Sequence, residues 1–157
     1  MKKDTVLFVC TGNTCRSPMC AALFNHKYAG LTRVAISAGL CANGGPISSN
    51  AAFVLREYGV KSAGDNDYRS HISRNVTEEM MHTADLVVGV SSQHALALIS
   101  RFPAYASKIT SFPKDIFDPV GGDEETYRFC LKLIDKALSE MFSEENNGVE
   151  DNKGDDK

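Results

Sequence analysis

The chain has 157 residues, 43% of them hydrophobic and 24% charged, with 12 glycines and 5 prolines, which suits one globular domain and excludes a disordered, collagen-like or coiled-coil polypeptide. Lysine and arginine number 17 against 20 acids, a net charge of −3, so no cationic field favours non-specific nucleic-acid binding. No run nears the roughly 20 apolar residues of a membrane span, and no signal-like apolar stretch of about 7 to 15 residues follows the charged N-terminus.

In chain order, Thr5–Val9 is a continuous apolar, β-branched run suited to a strand buried on both faces of a parallel sheet. After the loop Cys10–Arg16, Ser17 is placed to cap a helix, Pro18 fits its first position, Met19, Ala22 and Leu23 recur at helical spacing, and Gly30 ends it. Arg33–Ser37 reads as a second strand, Ala38–Ile47 as a loop, and Ser49–Tyr58 as a helix closed by Gly59. A short helix is expected over Thr77–Thr83, with Glu78 and Glu79 favouring its first turn. Asp85–Val90 is a third strand, Ser92–Arg101 a helix stopped by Phe102-Pro103, and Ile109–Phe112 a short fourth strand. The last helix, roughly Asp123–Phe142, carries Tyr127, Cys130, Leu131, Ile134, Leu138 and Met141 in one apolar stripe.

This alternation predicts a single α/β domain over residues 1–142, a four-stranded parallel sheet with helices on both faces and right-handed crossovers. Residues 143–157 carry Glu144, Glu145, Glu150, Asp151, Asp155 and Asp156 against Lys153 and Lys157, and an acidic, disordered tail is expected there. An odd count of 5 cysteines in a chain able to build its own core argues for free thiols and a cytoplasmic setting.

Ligands of such sheets bind beyond the carboxyl ends of the strands, which places Cys10–Arg16 and the loop Pro113–Gly122 at one end of the molecule. Backbone N–H groups of Thr11, Gly12, Asn13, Thr14, Cys15 and Arg16 can converge on one point. A helix start adds partial positive charge there, and Arg16 offers a planar fork to a phosphate. The loop is an anion cradle, and the field that holds a phosphate also favours the thiolate of Cys10. Ser17 either donates to that sulfur or caps the helix.

The run Val9-Cys10-Thr11-Gly12-Asn13-Thr14-Cys15-Arg16-Ser17-Pro18-Met19 resembles the signature of the low-molecular-weight protein tyrosine phosphatase family. Ser37-Ala38-Gly39, His71-Ile72-Ser73-Arg74, and Asp118-Pro119 followed by Gly121-Gly122 extend the resemblance over essentially Thr5–Met141. It implies that Cys10 is the nucleophile forming a cysteinyl-phosphate, that Arg16 and the loop amides hold the phosphoryl oxygens, and that Asp118 is the general acid and then the general base. It further implies phosphorylated proteins as substrates, inorganic phosphate as product, and no metal or cofactor. In this reading Asn13 accepts hydrogen bonds that fix the cradle, with Ser17, Ser37 and His71 in support. Cys15 is either a thiol that bridges Cys10 reversibly under oxidant or a small packing residue. Asp115 is read as a turn residue, and His26, His82 and His94 as ordinary helix residues.

Family members acting on phosphotyrosine commonly carry a bulky apolar residue where this loop has Thr14, and aromatics after the Asp-Pro pair, where this chain has Val120. Thr14 instead resembles the bacterial protein arginine phosphatase branch, whose loop reads C-T-G-N-T-C-R-S-P-M as here. Phosphotyrosine is the family default and phosphoarginine the alternative. An arsenate reductase would need a relay of redox thiols, for which Cys41 and Cys130 are candidates without its spacing. A non-catalytic phosphate-binding module would have no use for both Cys10 and Asp118. Cys10, Cys15 and Cys20 recur every five residues without the short paired spacing of zinc sites.

Overall fold

The computed structural model describes residues 4–30 and 33–155, with side chains of the last helix through Ser143. Four strands, β1 (Asp4–Cys10), β2 (Arg33–Gly39), β3 (Leu86–Gly89) and β4 (Ile109–Ser111), form one sheet in the order β2-β1-β3-β4. All neighbours run parallel. The helices are α1 (Arg16–Lys27), α2 (Ser49–Glu57), α3 (Glu78–Thr83), α4 (Ser92–Arg101) and α5 (Glu124–Asp155), with 3-10 turns at Tyr68–Ser70 and Pro103–Lys108.

Strand β1 is central and its side chains alternate between two cores. Val6, Phe8 and Cys10 belong to the core that holds Met19 and Leu23 of α1 and Leu131, Ile134 and Leu138 of α5. Leu7 and Val9 point to the other core, with Met81 of α3 and Leu98 of α4. Burial on both faces explains why Thr5–Val9 reads as an unbroken apolar run and not an alternating one. The apolar stripe of α5 delivers Tyr127, Cys130, Leu131, Ile134 and Leu138 to the core as expected, whereas Met141 is only partly buried.

Two boundaries differ from expectation in ways that matter. Helix α1 begins at Arg16, one residue before Ser17. Cys15 takes the cap position without a side-chain capping bond, because the Ser17 hydroxyl is turned toward the loop. The last helix continues past Phe142 to Asp155, a stretch with no proline to break it. The side chains of residues 144–157 lie outside the described residues, and with them the expectation for the acidic tail. Among the described residues no helix is long and apolar enough to cross a membrane.

Two turns bring the distant loop to the carboxyl edge of the sheet. Ile116 N–H bonds to Val90 O at 3.0 Å, tying the loop after β4 to the end of β3. Pro119–Gly122 then forms a tight turn, with Gly122 N–H on Pro119 O at 2.9 Å and Gly121 at φ 84°, a left-handed conformation that favours glycine. A Cβ on Gly122 would stand 2.7 Å from the Thr126 side chain, so the turn packs directly on the first turn of α5, where the Asp123 carboxylate accepts Thr126 N–H at 2.9 Å.

Candidate active site

Cys10 closes β1 with its residue only 2% exposed. The chain reverses at Asn13, whose φ of 60° is the left-handed region that asparagine tolerates. That reversal aims the Asn13 N–H at Cys10 Sγ at 3.3 Å, and Ser17 Oγ approaches the same sulfur at 2.9 Å. The Asn13 N–H is a donor aimed at sulfur, the kind of contact that suits a sulfur anion. Arg16 lies beside it at the start of α1, donating through Nη1 to Ile116 O at 3.2 Å, and its Nη2 stands 3.5 Å from Asp118 Oδ2. The Asp118 side chain is half exposed, and its Oδ1 accepts the Val120 N–H at 3.1 Å. A cavity of about 190 Å³ is lined by the whole Cys10–Arg16 loop, Asp118 and Val120. The thiol and guanidinium of one short loop and a carboxylate from a distant one therefore share one pocket.

The loop is held from the β2 side by a buried network around Asn13. Its Nδ2 donates to Ser17 Oγ at 2.8 Å and to Ser37 Oγ at 3.0 Å, while Oδ1 accepts Arg74 N–H at 3.0 Å. The amide therefore accepts, as expected, and in addition donates twice. His71 Nε2 donates to Asn13 O at 2.7 Å. Gly39 is needed for close approach, because a Cβ there would stand 2.6 Å from Thr11 O. Ser17, Ser37 and His71 thus converge on Asn13, and Arg74 joins them through its backbone. Arg74 was legible only as part of the downstream motif.

His94, read from sequence as an ordinary helix residue, is 5% exposed and stands with Nε2 at 2.9 Å from Thr11 Oγ1 and Nδ1 at 2.7 Å from Ser91 Oγ. The spacing Ser91-x-x-His94 is a capping pattern, since His94 N–H also reaches Ser91 Oγ, and no sequence signal ties it to the loop. Tyr127, counted as core, sends its hydroxyl to 3.2 Å from Cys15 Sγ. Burial, then that bond, pushes the phenol up to about 12. Asp115 accepts Ser92 N–H at 2.8 Å and so serves the start of α4.

His71 and His94, the two histidines that contact the loop, titrate below their ordinary value near 6.5. Burial is the main cause for each, opposed at His71 by its bond to Asn13 and reinforced at His94 by Arg16. The folded state therefore prefers the neutral rings. Their contribution to stability is fully present above about pH 6.5 and is lost as pH falls through the depressed folded values. Melting temperature is expected to fall between about pH 7 and about pH 5, and less steeply in His94→Gln than in the parent. Identical slopes would remove His94 from that account.

Burial raises the thiols of Cys20 and Cys130, the latter to about 12, so both are held protonated, whereas Cys41 is exposed. A fully buried Cys130 paired with a surface Cys41 is unsuited to a thiol relay. Among the described residues no group of three histidine, cysteine or carboxylate side chains is placed to hold a metal ion.

Residues 5–150 match the model of the low molecular weight phosphotyrosine protein phosphatase family. The chain is 34% identical over 151 residues to a protein-arginine-phosphatase of Geobacillus stearothermophilus, covering 89% of this chain and 97% of that one. The crystal structure of a low molecular weight protein tyrosine phosphatase from T. tengcongensis superposes with a TM-score of 0.81 at 36% identity, over 90% of this chain and 99% of that one. A mutant of YwlE arginine phosphatase with a phosphorylated active-site serine superposes with a TM-score of 0.78 at 32% identity, over 87% of this chain and 92% of that one.

Proposed function

This chain belongs to the low molecular weight phosphotyrosine protein phosphatase family, cysteine-based phosphatases of phosphoproteins, and we propose from that premise the roles of its residues and its preferred substrate. The observation that carries the reading is the meeting of Cys10, Arg16 and Asp118 in one small pocket. The Cys10 thiolate attacks phosphorus as the bond to the leaving group breaks, and Asp118 gives its proton to the departing atom. A water then attacks the cysteinyl-phosphate, Asp118 takes its proton, and phosphate leaves with the thiolate restored. The amides of Thr11–Arg16 and the Arg16 guanidinium hold the three equatorial oxygens, where charge accumulates. Asn13, Ser17, Ser37 and His71 position the loop and act through it. The free thiols of all five cysteines support a reducing, cytoplasmic setting.

Phosphoarginine is the substrate the pocket supports best. Thr14 puts a hydroxyl in the wall, its Oγ1 engaged among the described residues only by a weak 3.7 Å contact with Cys15 Sγ, and Val120 stands where an aromatic clamp would sit. A polar wall suits a hydrogen-bonding guanidinium, and an apolar one a phenyl ring. Phosphotyrosine is the second reading. It draws support from the exposed Phe117 beside Asp118, whose ring lies 5.9 Å from that of Phe129 and offers apolar surface near the mouth. Side-by-side kcat/KM on phosphoarginine and phosphotyrosine peptides tests the choice. Thr14→Ile is expected to move the ratio about tenfold toward tyrosine; an unmoved ratio would free Thr14 of any selecting role, and no turnover of either peptide would favour a binding module.

A further inference from the structure

The loop has a second anchor, on the β3 side, made by one side chain. Thr11 Oγ1 lies 2.9 Å from Nε2 of the buried His94, whose Nδ1 lies 2.7 Å from Ser91 Oγ. Both contacts of the ring depend on its tautomer, and the neighbouring donors point to one assignment. Ser91 caps α4, its Oγ accepting the His94 backbone N–H at 3.4 Å, and Ser91 itself is buried. Among the described residues the Ser91 hydroxyl proton finds its acceptor in Nδ1 of His94, so Nε2 carries the ring proton and donates to Thr11 Oγ1. Thr11 Oγ1 makes no other hydrogen bond among the described residues. Its own O–H is left to point elsewhere, and Thr11 is an exposed residue lining the catalytic cavity.

We propose that Thr11 binds substrate through its side chain, its hydroxyl donating to a non-bridging oxygen of the phosphoryl group, and that His94 is the positioning residue that aims it. The inference rests on the phosphatase reading and adds to it a side-chain donor beyond the loop amides and Arg16. With Nε2–H seated on one lone pair, the Thr11 hydroxyl is turned away from His94, and the β3 flank supplies a donor as the β2 flank supplies the Asn13 network. Charge gathers on the phosphoryl oxygens as the reaction proceeds, so this donor is worth more in the transition state than in the bound substrate.

The test uses p-nitrophenyl phosphate turnover and inhibition by inorganic phosphate. Thr11→Val is expected to lower kcat/KM about tenfold and weaken phosphate inhibition, the size of one hydrogen bond to a charged group, while Thr11→Ser stays within about twofold of the parent. His94→Ala is expected to lose about as much as Thr11→Val, His94→Gln to recover most of it, and Thr11→Val with His94→Ala to be no worse than either alone. Thr11→Val sits at an exposed position and carries the test should His94→Ala not fold. Parental kcat/KM and inhibition in Thr11→Val, or losses that multiply to about a hundredfold in the double variant, would overturn the proposal. An inactive parent would instead indict the phosphatase reading itself.

Discussion

Replacing Cys10 by serine is expected to abolish turnover, by about 10⁴-fold or more, while leaving phosphate binding in place. The asymmetry follows from which atoms do which work. A serine hydroxyl stays protonated where a thiol ionises, and the Asn13 N–H that approaches the sulfur at 3.3 Å favours an anion without removing a hydroxyl proton. In the proposed roles, phosphate affinity rests on the loop amides and Arg16, which the substitution leaves untouched. Calorimetric titration with inorganic phosphate and single-turnover hydrolysis together make the measurement. Undiminished turnover would reject covalent chemistry at Cys10, and loss of both properties would mean that the loop had collapsed.

Removing the Asp118 carboxylate as Asp118→Ala is expected to cost about 10²- to 10⁴-fold, concentrated on poor leaving groups. A nitrophenolate departs without a proton and an alkyl alcohol does not, so the penalty should widen as the leaving group becomes more basic. Asp118 is well placed for such a role, half exposed at the cavity mouth with its Oδ2 3.5 Å from the Arg16 guanidinium. The same proximity provides a control. A merely electrostatic partner of Arg16 would alter all substrates alike, so an equal loss across leaving groups would contradict general acid chemistry. Asp115 does not substitute for it, since its carboxylate is committed to the Ser92 N–H and hydroxyl at the start of α4.

Much of the site was readable because it is local. Cys10–Arg16 joins the end of a buried strand to the start of a helix within one short loop, and strand end, turn and helix start are each signalled by adjacent residues. Residue order leaves a choice open where a polar side chain has more than one available partner. Of the two roles open to Ser17, the structure shows the one at the sulfur, and the hydroxyl also meets Asn13 and Ala38 O instead of capping. Asn13 accepts from Arg74 N–H as expected, and its two donations to Ser17 and Ser37 are what residue order does not show. Which of a hydroxyl's or an amide's bonds are made depends on groups that residue order does not name.

The order of residues alone determined the alternating strands and helices, the parallel sheet and the seven-residue anion cradle, since periodicity and short-range turn chemistry are written in consecutive positions. Only the tertiary structure decided that Thr11 faces His94, that Tyr127 reaches Cys15, and that Asp118 stands beside Arg16. Those meetings come from the parallel register that sets Cys10 opposite Gly39 and Val9 opposite Gly89. Parallel pairing carries each strand's C-terminal loop to one edge, and there residues a hundred positions apart come within hydrogen-bonding distance.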